Sequence, residues 1–300
     1  MAMRVHACLV LTLALPFFLA TASAADGSRI EVVDDAGSLV KLSAPARRIV
    51  SLAPSLTELV YAAGAGDALV GVVEYSDFPK EALGVPLIGR FDRFDIETIL
   101  ALKPDLVLAW QTGNPRATVE RLASLGLTVY VAEPKVLDSI PALIETIGTL
   151  ADTRAQADIE AARFRQSLHA LQTRYAAAAP VRVFFQVWDR PLMTSGGNEL
   201  THDLITLCGG VNVFGDLNAL APKVNLEAVL LRDPEVIIAS GIDETRPPWL
   251  DAWQQWPSIS AVRNARVGFI DPDLTQRHSP RVLDGAALMC EQIDSARQSR

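Results

Sequence analysis

Two segments of the chain read as one. "DIETILALKPDLVLAW" runs from Asp95 to Trp110, and "NLEAVLLRDPEVIIAS" runs from Asn225 to Ser240; they align without a gap at an offset of 130 residues. Asp95 matches Asn225, Glu97 matches Glu227, Pro104 matches Pro234, and Val107-Leu108-Ala109 matches Ile237-Ile238-Ala239. Each copy opens on an Asx residue of the kind that caps a helix. Each then meets a proline that stops the helix and ends in an apolar run of strand length. A helix feeding a buried strand is part of a βαβ unit, so the duplication predicts two α/β lobes.

The flanking sequence repeats the alternation. "RIVSLA", "ALVGVV", "DLVLAW" and "TVYVA" read as buried parallel strands of a first lobe, and "RVFFQVW", "EVIIAS" and "RVGFID" as those of a second. Ser55 reads as a helix N-cap, with Glu58 three residues on completing a capping box, and Gly64 as the residue that closes that helix. Between the two sets, Arg154 to Tyr175 carries Ala157, Ala161, Phe164, Leu168, Leu171 and Tyr175 at steps of four and three, with no Gly or Pro. That is one apolar stripe on a helix of roughly 33 Å, read as a rigid strut. The boundaries expected are a leader at 1–24, a first lobe at 25–153, the linking helix at 154–178 and a second lobe at 179–300.

The leader reading rests on Arg4, the apolar run "ACLVLTLALPFFLA" and the A-x-A site Ala22-Ser23-Ala24. The run is too short to span a bilayer, so it is read as a secretory signal peptide cleaved near Ala24 and the protein as periplasmic. Cys8 lies at the start of the apolar run, away from a lipoprotein cleavage point. A formal net charge of −8 argues against a nucleic-acid partner. Cys208 and Cys290 remain in the mature chain; in an exported protein they are most simply a disulfide, closing a loop that adds on the order of 4 kcal/mol in the chain-entropy model. A Cys-containing metal site is the weaker alternative, because neither has a second Cys or a His at ligand spacing.

Ligands of open parallel sheets sit beyond the carboxyl ends of the strands. Those ends carry Ala53-Pro54-Ser55, Tyr75-Ser76-Asp77, Trp110 and, in "GRFDRFD", Phe91 and Phe94; in the second lobe they carry Trp188 and "DLTQRHSPR" with Asp273, Arg277 and His278. Several aromatics facing a few polar groups suit a large, partly apolar ligand. Each residue taken singly reads as well as packing or a solvated charge; their shared position makes the set a candidate site. "GAGDAL" follows a helix and is no dinucleotide fingerprint, and G-x-S-x-G, P-loop and H-E-x-x-H motifs are absent. No catalytic role is read from the chain, and the scattered His169, His202 and His278 do not suit a zinc carrier.

In order along the chain, "SLAPSLTELVYAAGAGDALVGVVEYSDFP", "LALKPDLVLAWQTGN", "LASLGLTVYV", "TSG", "LCGGVNVF" and "RHSPR" resemble the periplasmic cobalamin-binding proteins of ABC-type importers, within the class III substrate-binding protein family. The resemblance implies two Rossmann-like α/β lobes joined by one long rigid helix, with little hinge motion. It implies a corrinoid ligand rather than a resident cofactor or metal, a monomer, and an inner-membrane ABC permease dimer as partner. It places Tyr75, Phe91, Trp110, Asp273 and Arg277 at corrinoid-contacting positions and pairs Cys208 with Cys290; Ser55 and Trp188 join the expected ligand set from their place at strand ends. The chain departs from the family pattern at Phe91 and Ala221, where tryptophans are usual, and at Val187 and Met193, where phenylalanines are. The resemblance further implies that Glu97 and Glu227 meet arginines of the two permease subunits. His278 reads as a hydrogen-bonding rim residue, with axial ligation of cobalt in a corrinoid lacking its lower base as the alternative. Haem and ferric-siderophore carriers of the same family are the alternative function, and a secreted metal- or corrinoid-dependent enzyme stands behind them.

Overall fold

The computed structural model describes residues 29–241 and 245–298; the leader and its cleavage point lie outside them. The duplicated segment folds twice in the same way. The Asp95 carboxylate accepts the Glu97 N–H at 2.9 Å and starts the helix Ile96–Ala101. The Asn225 side-chain oxygen accepts the Ala228 N–H at 2.8 Å and starts Leu226–Arg232. Each helix then passes through a left-handed residue just before its proline, Lys103 (φ 46°) and Asp233 (φ 38°), and turns into the strand Leu106–Trp110 or Val236–Ala239.

The wiring around these turns is duplicated too. Asp105 accepts the Arg48 N–H and Glu235 accepts the Arg182 N–H, both at 3.0 Å. In return Arg48 donates from Nε to the Leu102 carbonyl and Arg182 from Nε to the Asp233 carbonyl, both at 2.9 Å. Carbonyls left over at a helix end are thus satisfied by the arginine that leads into the central strand. The same exchange holds both units to their sheets.

In the first lobe four parallel strands lie in the order Leu69–Val72, Ile49–Ser51, Leu106–Trp110, Val129–Ala132. The strands that follow Ile49–Ser51 in sequence lie on opposite sides of it, which opens a crevice at its carboxyl end. In the second lobe Val181–Trp188 is central. Val236–Ala239 and then Val267–Phe269 run parallel to it on one side, while Gly210–Asn212 (parallel) and Met193–Thr194 (antiparallel) share the other edge. All seven strands read from sequence are present. The sequence reading missed a hairpin of Ile30–Val33 with Leu39–Leu42. Asp34 and Asp35 beside it accept the N–H groups of Val131 and Glu133 on the first sheet's edge.

The strut spans Arg154–Tyr175, as expected. Ala157, Ala161, Phe164, Leu168 and Tyr175 of its stripe are buried, and Leu171 packs against them. One core cluster runs without a break from Leu59 and Leu150 of the first lobe, along Phe164 and Leu168, to Phe185 and Met289 of the second. The far faces of the two sheets have separate cores. The lobes therefore share apolar packing along the strut.

The helix Pro54–Ala62 corrects one expectation. Its N-cap is Ala53, with Pro54 in the first turn and no side-chain cap, so Ser55 and Glu58 form no capping box. Glu58 is bonded elsewhere, as described below. Gly64 (φ 75°) does close the helix, with Gly64 N–H on the Tyr61 carbonyl and Ala65 N–H on the Val60 carbonyl, a Schellman pattern.

Cys208, after the helix Leu200–Leu207, is bonded to Cys290 in Val282–Gln298. Replacing both by serine should lower the unfolding free energy by about 2–5 kcal/mol. Urea titration of the variant against the wild-type protein measures this, and equal midpoints would contradict it.

Candidate ligand-binding cleft

On the first lobe the strand ends present aromatic rings. Trp110 closes its strand half-buried, and the Phe91 ring lies 6.2 Å from it, tilted by 46°. Tyr75 follows the edge strand with φ 66°, a left-handed conformation that is costly for a bulky residue; it leaves the ring 65% exposed. Ser55 sits half-buried in the first turn of the helix that follows the central strand. Beneath them is a buried hydroxyl cluster, with Thr57 Oγ1 2.9 Å from Ser51 Oγ and 3.1 Å from Ser76 Oγ. Asn114, which the sequence reading passed over, accepts the Trp110 N–H and donates to the Leu52 and Phe91 carbonyls.

Opposite stands the loop that follows the last strand of the second lobe, and it is tied across. Glu58, its side chain 2% exposed, accepts from Arg277 Nη1 (3.0 Å), Ser279 Oγ (2.7 Å), Arg281 Nε (2.9 Å) and Arg281 Nη2 (2.6 Å). Arg277 Nη1 also reaches Asp77 of the first lobe at 2.9 Å, and its Nη2 reaches Asp273 at 2.8 Å. The Arg281 guanidinium lies 4.1 Å above the Phe78 ring. Arg277 is thus a largely buried member of an ion cluster, 12% exposed. Among the described residues its Nε–H meets no acceptor, which leaves that donor to face a ligand or water. Glu58, Ser279 and Arg281 were not anticipated as site residues. The available signal was an acid on a helix whose neighbours Leu56, Thr57, Leu59 and Val60 are all buried.

Burial pushes the Asp273 carboxyl up to about 6, against the pull of Arg277 and Arg281 and with Asp77 and Asp271 adding to the rise. Burial also lowers the half-buried His278 imidazole to about 4, so it is neutral at neutral pH. Trp188 ends the central strand of the second sheet, its indole N–H on the Arg190 carbonyl at 3.1 Å. Past Thr112 the space between the lobes continues as a cavity of about 480 Å³, lined by Glu133 and Lys135 from one side and Glu199 and Asn218 from the other. On the strut side the ion cluster borders a second cavity of about 600 Å³, lined by Phe78, Gln156 and Phe164 among others. Glu97 and Glu227 lie apart from all this, exposed in the first turns of the two matching helices. Neither carboxylate has an ion-pair partner among the described residues.

Two α/β lobes on one long helix, with the family's sequence matched over residues 49–274, decide the family. The chain belongs to the periplasmic binding protein family. This binding protein is 39% identical over 261 residues to the vitamin B12-binding protein of Vibrio cholerae serotype O1, covering 87% of this chain and 94% of the relative. It is 38% identical over 263 residues to the vitamin B12-binding protein of Yersinia pestis, covering 86% and 90%. The crystal structure of the periplasmic vitamin B12-binding protein BtuF of Vibrio cholerae superposes with a TM-score of 0.78 at 38% identity, covering 84% of this binding protein and 98% of that chain.

The two shifted groups give opposite pH signatures. With its value raised, Asp273 contributes stability that is fully present below the ordinary carboxylate range and lost as pH rises through about 6. With its value lowered, His278 contributes stability that is present above the ordinary histidine range and lost as pH falls from there toward about 4. Relative to wild type, the Asp273→Asn protein should therefore lose melting temperature as pH drops from 7 to 4. Thermal melts at stepped pH check the sign, and a difference that grows toward neutral pH would contradict it.

Proposed function

We propose that the protein captures cobalamin or a related corrinoid between its lobes and delivers it to an inner-membrane ABC importer. It binds its ligand without turnover. The observation that carries the reading is the Phe91–Trp110 pair with Tyr75, set at the carboxyl ends of the first sheet and facing a polar loop across the cleft. A corrin is flat, large and rimmed with amides. Aromatic rings suit its face, and Asp273, Arg277, Ser55 and backbone groups suit the amides. The names of the similar proteins from Vibrio and Yersinia point the same way. On this reading the leader is removed near Ala24, the mature monomer works in the periplasm, and residues 25–153 and 179–300 are the two ligand-facing units on the 154–178 strut. His278 serves as a hydrogen-bonding rim residue; its neutral form is also the one that ligates cobalt, which a spectrum of bound cobinamide distinguishes.

Isothermal titration with cyanocobalamin, cobinamide, haemin and a ferric hydroxamate siderophore tests the reading. Corrinoids should bind and the other two should not; preferential binding of haemin or the siderophore would replace it. Trp110→Ala should weaken corrinoid binding by roughly 1–3 kcal/mol with the fold intact, in line with loss of a buried ring contact.

The matched glutamates fit docking. The helix dipole stabilises a first-turn carboxylate by about 0.3–1 kcal/mol, and that alone would account for one copy. Two related lobes on one strut carry the same acid at the same place, and a pair of like permease subunits offers the complementary pair of cations. The double variant Glu97→Ala with Glu227→Ala should keep corrinoid affinity and lose importer complex formation and uptake. The wild-type complex should weaken as salt rises. Normal transport by the double variant would return both residues to helix capping.

A further inference from the structure

We infer that Gly113 and Asn114 are positioning residues that set the aromatic platform of the first lobe. The inference rests on the corrinoid reading and deepens it. Every hydrogen-bonding atom of the Asn114 side chain acts on a strand-end segment. Oδ1 accepts the Trp110 N–H at 2.6 Å, and Nδ2 donates to the Leu52 carbonyl at 2.9 Å and to the Phe91 carbonyl at 2.7 Å. Leu52 leads from the central strand into the first helix, Phe91 sits in the turn between Gly89–Arg90 and Arg93–Phe94, and Trp110 ends the neighbouring strand. Asn114 is 5% exposed, so these bonds are made away from water, where an unmatched polar group is costly. A single carboxamide with two donors and one acceptor in use ties together the two segments that carry the facing rings and the one between them.

Gly113 works on the ring itself. A methyl group at Gly113 would fall within the six-membered ring of Trp110, so the indole lies flat against a position that only glycine can fill. Asn114 therefore holds the backbone on which Phe91 and Trp110 stand, and Gly113 gives the Trp110 ring its resting place. Neither residue needs to touch the ligand. Their effect on binding should pass through the rings, a claim that a double-mutant cycle tests directly.

Cyanocobalamin is titrated into wild type, Asn114→Ala, Gly113→Ala, Phe91→Ala/Trp110→Ala and that pair with Asn114→Ala added, with far-UV circular dichroism of each. Asn114→Ala and Gly113→Ala should each lose at least tenfold in affinity while keeping their secondary structure. With Phe91 and Trp110 both truncated, Asn114→Ala should lose threefold or less. Full loss in both backgrounds would mean that Asn114 acts independently of the rings and would overturn the inference. So would undiminished affinity in either single variant. If Asn114→Ala fails to fold, Gly113→Ala decides, since it leaves all three hydrogen bonds in place and displaces only the ring. Failure of the wild-type protein to bind overturns the corrinoid reading and this inference with it; wild-type binding that the single variants leave untouched overturns this inference alone.

Discussion

Glu58 is the carboxylate on which the arrangement of the two lobes depends. It stands on the first helix of the first lobe, is nearly sealed from water, and takes four donor bonds from residues 277–281 of the second. Sequestering such a charge is unfavourable by several kcal/mol unless every lone pair is met. Here the guanidiniums of Arg277 and Arg281 and the Ser279 hydroxyl meet it together. Removing one member would strand the others, at a cost of about 3–5 kcal/mol. That asymmetry makes the cluster a latch: any movement that parted the lobes at this point would uncover a buried carboxylate and two part-buried cations at once. Asp77 and Asp273 extend it, and at Asp273 burial outweighs the pull of the two arginines and raises the carboxyl.

The strut and the latch act on the same degree of freedom from two sides. The apolar stripe from Ala157 to Tyr175 carries one core through both lobes, and the ion cluster closes the contact between the first helix and the last loop. A cleft held in this way presents its rings and polar groups in fixed positions before any ligand arrives. Less ordering entropy is then lost on binding, which is how a preformed site gains affinity without added contacts. The duplicated turns serve the same end. Arg48 with Asp105, and Arg182 with Glu235, lock each repeated helix–strand unit to its central strand, so the strand ends that carry Trp110 and Ser240 stay at set heights above their sheets.

What could be read from sequence was what local chemistry decides. Asp95 and Asn225 cap because an Asx oxygen reaches an N–H two or three residues on, and Pro104 and Pro234 end their helices regardless of surroundings. Strands such as Leu106–Trp110 are buried on both faces and so are continuously apolar. The latch was misread because Ser55 and Glu58 stand at capping-box spacing, while the partners that claim Glu58 lie more than two hundred residues later. Asn114 escaped notice for the same reason: its partners are 4, 23 and 62 residues away, and nothing in the run "QTGNPR" marks an asparagine as structural. The hairpin Ile30–Val33 with Leu39–Leu42 is half-exposed and short, and it is placed by Asp34 and Asp35 against an edge whose position sequence does not reveal. The ion cluster around Arg277 was not legible, since a charge at a cleft rim and a charge inside an ion cluster look alike until the facing carboxylates are known.

A latched cleft raises the question of release. The groups that hold the lobes together are buried or part-buried between them, whereas Glu97 and Glu227, which have no ion-pair partner among the described residues, are exposed on separate helices, one on each lobe. On the proposed docking role, importer subunits that engaged Glu97 and Glu227 would each act on a different lobe. Glu97 heads the helix that runs into the Trp110 strand, and Glu227 heads the one that runs into the Val236–Ala239 strand beside the central strand. The same repeat that carries the two proposed docking acids therefore also carries the ends of the Leu106–Trp110 and Val236–Ala239 strands. On the proposed docking role, that shared placement gives a physical reason for one chain to keep the unit twice: capture would use two lobes fixed against each other, and delivery would use one acid on each.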